Sequence, residues 1–212
     1  MNKNPPAKPT FLRKAIFCIG STKSKWKINA VAKQNIASKP AMILALYPII
    51  MHIGNIISKA IVGGEFINIQ VTNFKDSSDL YTAIEGVSFE LDVKSTKTGD
   101  TLRDYKIYNS FFGTMLNTQY ISGEILSLNK NKTGLVLITM NGVSKEVSFD
   151  WDIDQSHEFF LKTSIDVLKW DASSALNALN EVCLEKHTGP DGINKLWPNV
   201  DIVVIAKLIA LD

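Results

Sequence analysis

The sequence predicts an α/β fold of α+β character, a central mixed β-sheet flanked by helices. Two observations carry that expectation. Short β-branched runs bounded by turn residues recur along the chain, and two longer segments with helical spacing interrupt them. No internal repeat is visible.

The elements follow in order. Residues 1–10 contain Pro5, Pro6 and Pro9 and read as a loose arm. Phe11 to Gly20 holds a short apolar run, and Ser21 to Lys39 mixes lysines with Ala, Ile and Asn. Residues 1–38 are taken as a basic N-terminal arm or subdomain, and residues 39–212 as the core. Ala41 to Val62 predicts a helix stopped by Gly63-Gly64, with Pro48 as a kink. Within it, Pro40 to Ser58 is nineteen residues without a formal charge, long enough to approach a membrane span. Pro48, His52 and Asn55 lower its apolarity, and the spacing of Ile43, Tyr47 and Ile57 fits a buried helix, so no stable membrane association is expected.

Phe66 to Thr72 reads as a strand, and Lys75 to Ser78 as a turn. Leu80 to Ile84 and Val87 to Ser95 read as two strands joined at Glu85-Gly86. Thr96 to Thr101 is a polar loop, and the aromatic-rich Tyr105 to Tyr120 suggests a helix. Leu135 to Met140, Asn141-Gly142 and Ser144 to Phe149 form the strongest hairpin signal. Ile165 to Leu184 has helical spacing, Gly189 to Gly192 is a loop, and Asp201 to Leu208 closes the chain as a buried strand.

Composition adds limits. The chain of 212 residues is 45% hydrophobic and 21% charged, which excludes collagen-like or wholly disordered classes. Net charge is only +2, but its distribution is uneven. Residues 1–64 carry ten Lys or Arg and no acid, whereas residues 65–212 carry thirteen basic and twenty-one acidic residues. Such an arm could steer a polyanion, be merely solvated, or serve as a targeting segment. Cys18 and Cys183 read as separate thiols in a reducing compartment, and the absence of a CxxC pair excludes a cysteine zinc site. Phosphate-loop, dinucleotide and nucleophile-elbow motifs are absent, and Asp150, Asp152 and Asp154 lack the calcium-loop offsets and read as a loop.

The candidate chemistry lies between Asp79 and Lys94. A hairpin there would bring Asp79 toward Asp92 and Lys94, which share a face by strand alternation. Two carboxylates and a lysine suit Mg²⁺ and an activated water, hence phosphodiester hydrolysis. Asp79 and Asp92 would ligate the metal, with the Val93 carbonyl beside them. Lys94 would orient the water, and Glu90, sharing the parity of Asp92, is a further candidate ligand. Each also has a plain structural reading: Asp79 as a turn cap, Asp92 and Lys94 as a surface pair, Glu90 as a salt-bridge partner.

Asp79 followed by Asp92-Val93-Lys94 in FELDVKST resembles the core of type II restriction endonucleases of the PD-(D/E)xK nuclease superfamily. Ser78 stands where a proline commonly precedes the first acid. The preceding helix offers His52, Asn55 and Ser58 in place of a glutamate. The resemblance implies a prokaryotic, cytoplasmic, homodimeric Mg²⁺-dependent enzyme that cuts double-stranded DNA at a short palindrome beside a cognate methyltransferase. Candidate DNA contacts are Lys97, Arg103, Lys106, Asn109, Asn117, Gln119, Lys130 and Lys132, the basic ones for phosphates and the amides for base edges. The alternatives are a repair or defence nuclease without strict specificity and a non-enzymatic nucleic-acid-binding protein.

Overall fold

A computed structural model describes residues 42–53, 62–188, 192, 194 and 196–210. The expected arm at residues 1–38, with Cys18 and the early lysines, lies outside the described residues, as does most of the 189–192 loop. Ten strands dominate: β1 (Met42–Ile53), β2 (Val62–Phe66), β3 (Ile69–Thr72), β4 (Ser88–Asp92), β5 (Thr96–Lys97), β6 (Tyr120–Leu128), β7 (Thr133–Met140), β8 (Val143–Ile153), β9 (Glu158–Asp166) and β10 (Asn199–Ala210). The helices are α1 (Leu80–Ile84), α2 (Thr101–Lys106), α3 (Ser173–Val182) and α4 (Leu184–His187).

All ten strands form one sheet in the order β3-β4-β6-β7-β8-β9-β10-β1-β2-β5. Every described pairing is antiparallel, so the expected mixed sheet is corrected. The reason is connectivity: β6 to β9 follow one another through short turns, which only antiparallel neighbours permit. The sheet curls into a half-barrel. Its outermost pairs, β3–β4 and β2–β5, belong to one bent hairpin, because β2 runs into β3 through residues 67–68 and β4 into β5 through a 3₁₀ turn at Val93–Ser95. The bend is held by Ile67 N–H to the Ser95 carbonyl at 3.2 Å and Asp92 N–H to the Asn68 carbonyl at 3.1 Å.

Several sequence expectations change at this level. The helix expected from Ala41 to Val62 is strand β1 over Met42–Ile53, paired with β10 and β2. A continuous apolar run reads alike for a buried helix and a buried strand, and pairing with β10 decides the case. Pro48 stands where the β1–β10 register shifts between Tyr47 and Ile49, a position that tolerates a residue with no N–H. Leu80 to Ile84 is helix α1 instead of a strand, capped by Asp79. Its Glu85-Gly86 turn is present, with Gly86 at φ 86°, but it joins a helix to β4. The Phe66 to Thr72 strand is broken at 67–68.

The Tyr105 to Tyr120 helix is shorter and starts earlier. Asp100 caps α2 through Leu102 and Arg103 N–H, and the chain continues as a π turn to Phe111 and a 3₁₀ turn to Thr114. Of Ile165 to Leu184, residues 173–182 form α3; Asp171, at φ 55°, separates it from a 3₁₀ turn at Val167–Trp170. Asp150 and Asp152 lie in β8, not in a loop. The hairpin at Asn141-Gly142 forms as read, joining β7 to β8.

Among the described residues the core is one continuous cluster. Phe111, Phe112, Met115, Trp170, Ala175 and Leu179 are buried among the segments that cap one end of the sheet. The inward positions of the strands continue the same cluster.

Candidate functional site

Strand alternation builds the concave wall. Ile121 and Ile125 on β6, Val136, Ile138 and Met140 on β7, Phe159, Leu161 and Ile165 on β9, and Ile202, Val204 and Ala206 on β10 point inward at every second position. With Ile69, Val71, Phe89 and Leu91 from the bent hairpin, they surround a cavity of about 980 Å³, its open mouth included. Among the described lining residues, seventeen are apolar and the eighteenth is Thr163, whose hydroxyl donates to the Ser148 carbonyl at 2.7 Å. A buried water needs two to four polar partners, so this wall disfavours water and favours an apolar occupant.

The cavity has a structured lid at one end. Ile84 of α1 and Val87 after it line the cavity, and both are buried. The lid is latched by Gly86 N–H to the Ile125 carbonyl at 2.8 Å, Ile125 N–H to the Val87 carbonyl at 2.9 Å, and Leu128 N–H to the Glu85 carboxylate at 3.1 Å. Asp79 caps α1 by accepting from Thr82 N–H at 2.9 Å and its hydroxyl at 2.7 Å. These bonds, the hydroxyl first, hold the exposed Asp79 carboxyl below its ordinary pKa. Tyr81 packs edge-on against Trp151 at 5.9 Å, and Trp151 stacks on the cavity residue Phe159 at 5.7 Å. The opposite end is covered by α2, the turns after it, the 167–170 turn and α3. There the Trp170 indole donates to the Ile138 carbonyl at 3.0 Å.

The residues singled out by sequence lie elsewhere. The hairpin that was to bring Asp79 to Asp92 does not form: Asp79 caps helix α1, and Asp92 ends strand β4. Asp92 accepts from Lys94 N–H at 2.9 Å and from the Asn68 amide at 3.4 Å. The 3₁₀ turn breaks the assumed strand parity, and Lys94 Nζ stands 5.6 Å from the Tyr108 ring. The Val93 carbonyl already accepts the Thr96 hydroxyl at 2.8 Å. Glu90 is exposed, in register with Gln70 and Ser122. Among the described residues no three of His, Cys, Asp and Glu gather in a metal-ligating group.

The candidate DNA contacts are split between the two ends. At the helical end, Lys97 lies 3.7 Å from the Asp104 carboxylate, Arg103 lies 3.8 Å from Asp100, and Lys106 Nζ donates to the Val182 carbonyl at 2.6 Å. The Asn109 amide bonds the Tyr105 carbonyl at 2.9 Å, while Asn117 and Gln119 are exposed before β6. Lys130 and Lys132 are at the lid end, and Lys132 pairs with Asp152 at 3.2 Å over the Trp151 ring.

An antiparallel half-barrel around an apolar cavity defines a lipocalin-like fold. The chain belongs to the YceI-like domain family, whose model matches residues 50–202. Among solved structures it is similar to a polyisoprenoid binding domain from Saccharophagus degradans implicated in plant cell wall breakdown. That match has a TM-score of 0.57 and 10% identity, covering 82% of this chain and all of that one. Burkholderia cenocepacia BcnA matches with a TM-score of 0.54 and 11% identity, covering 76% of this chain and 95% of that one. No curated protein sequence matches significantly. The family and the fold overturn the restriction-endonuclease resemblance. With it go the expected site-specific deoxyribonuclease activity, the double-stranded DNA partner, and the implied homodimer and methyltransferase pairing.

The cavity residues were not singled out by sequence reasoning. A signal existed in EFFLKTSID and YISGEILSL, where β9 and β6 alternate apolar and polar residues with period two.

Proposed function

We propose that this protein binds a long apolar molecule of the polyisoprenoid or related lipid class within the half-barrel. The observation that carries the reading is the cavity wall, seventeen apolar side chains and one satisfied threonine. Burying apolar surface yields about 25 cal/mol per Å², or ~0.8 kcal/mol per methylene, so a chain of several isoprene units supplies the drive even after the cost of immobilisation. An empty apolar cavity leaves its lining atoms without dispersion partners, which adds to the gain on filling. The polyisoprenoid named for the Saccharophagus domain supports this ligand class.

The test is a titration of the folded protein with geranylgeraniol, a neutral C20 isoprenoid, followed by calorimetry and tryptophan fluorescence. Saturable binding with a negative heat-capacity change is expected. Ala206→Phe and Val136→Phe, each adding a ring inside the cavity, are expected to weaken it at least tenfold while circular dichroism stays unchanged. Absence of saturable binding by folded protein to geranylgeraniol and to C16–C18 fatty acids would overturn the reading.

A further inference from the structure

Strand β8 is paired on both sides over only part of its length. Its ladder with β7 is unbroken from Asp150 to Val143, but its ladder with β9 ends at Asp150↔Lys162. β9 continues to Asp166 with β10 as its partner. Residues 143–149 of β8 and 163–166 of β9 therefore flank an unpaired wedge, with the Val167–Trp170 turn against β8. The Thr163 hydroxyl takes the Ser148 carbonyl where the ladder stops. Antiparallel residues alternate between their two neighbours, and the tight turn makes Met140 and Val143 a bonded pair. The main-chain groups of Ser144 and Glu146 thus aim at the wedge, where no ladder partner stands among the described residues.

The same register places Lys145 on the concave face. Val143, Lys145, Val147, Phe149 and Trp151 share that face by alternation, and four of the five are apolar. Lys145 stands directly across from Ile138, a cavity residue that is 6% exposed, yet Lys145 itself is exposed. It makes no ion pair among the described residues. A lysine on the inner face, beside open main-chain donors and next to an apolar cavity, has the parts of an anion site.

We propose that Lys145 and the β8–β9 wedge bind the anionic head, phosphate or carboxylate, of an amphiphile whose tail lies in the cavity. This rests on the reading of the cavity as a lipid site. The tail fills the space lined by Ile138 and Ile165, and the head emerges between β8 and β9, where it stays hydrated and meets the lysine.

The experiment measures affinities of the full chain, wild type, K145A and K145R, for geranylgeranyl phosphate, palmitate and geranylgeraniol at low and at physiological salt. Wild type is expected to favour an anionic ligand over the alcohol, with added salt weakening only the anionic one. K145A is expected to lose that preference by about five- to tenfold without changing alcohol binding, and K145R to restore it. Lys145-dependence of the phosphate or of palmitate distinguishes the two heads. A preference unchanged by K145A would overturn the proposal. If K145A also made the protein self-associate, the inward charge would serve to keep the unpaired β8 edge from pairing with another chain. Failure of all three ligands to bind the folded wild type would sink the cavity reading itself, and this proposal with it.

Discussion

Gly123 and Gly134 set how closely the concave wall packs. A Cβ on Gly123 would overlap the Phe89 ring and the Leu137 carbonyl, and one on Gly134 would overlap the Phe149 ring. Gly123→Ala is therefore expected to lower stability by about 1–3 kcal/mol, read from the denaturant midpoint. Because Phe89 lines the cavity, the same change should also weaken ligand binding. Asp79 illustrates a second residue-scale effect. Its folded-state pKa is depressed, so its contribution is fully present above the unfolded carboxylate pKa and fades as pH falls through the lower folded value. Asp79→Asn should consequently lower the Tm at pH 7 and leave it nearly unchanged at the acid end of that window. As a turn cap this acid was legible from Ser77-Ser78 before it, though not as the cap of a helix. Its assumed pairing with Asp92 was not, because that required a strand where a five-residue helix forms.

At the scale of elements, the β7–β8 hairpin is the feature most directly encoded. Asn141 and Gly142 take φ of 52° and 70°, as the tight turn demands. Asn141 does more than turn the chain. Its side-chain Oδ1 accepts Leu116 N–H at 2.6 Å, and its side-chain Nδ2 donates to the Trp170 carbonyl at 2.8 Å, so the turn fastens the helical cap to the sheet. Asn141→Ala should cost about 1–3 kcal/mol from those bonds, with positive-φ strain added, and Asn141→Gly should be milder by about 1 kcal/mol. Paired denaturation curves of the two variants check the difference. β10 was equally legible, a β-branched run with a turn before it. β1 was not, since its uncharged residues suit either period and only pairing with β10 over Met42–Ile53 fixes the strand. β6 and β9 were overlooked because charged and polar residues on their outer faces diluted the apolar alternation.

The whole molecule is governed by contacts distant in sequence. Closure depends on β2 and β3 meeting β5 and β4, and on β1 returning to β10, pairings that no local motif announces. The cavity exists only once that curvature is in place, so a short acidic motif outweighed a site spread over the inward positions of six strands. The lid adds a prediction at this scale. Glu85→Ala removes the acceptor of Leu128 N–H and should loosen α1 over the cavity. Ligand dissociation should accelerate more than association, measured by stopped-flow fluorescence. On this reading the half-barrel holds an apolar chain. Native mass spectrometry of protein purified without detergent, followed by solvent extraction and lipid analysis, tests it most directly. A lipid is expected at about one molecule per chain, displaced by added geranylgeraniol and absent from Ala206→Phe. Protein that is folded, carries no extractable lipid and takes up none when offered would contradict it.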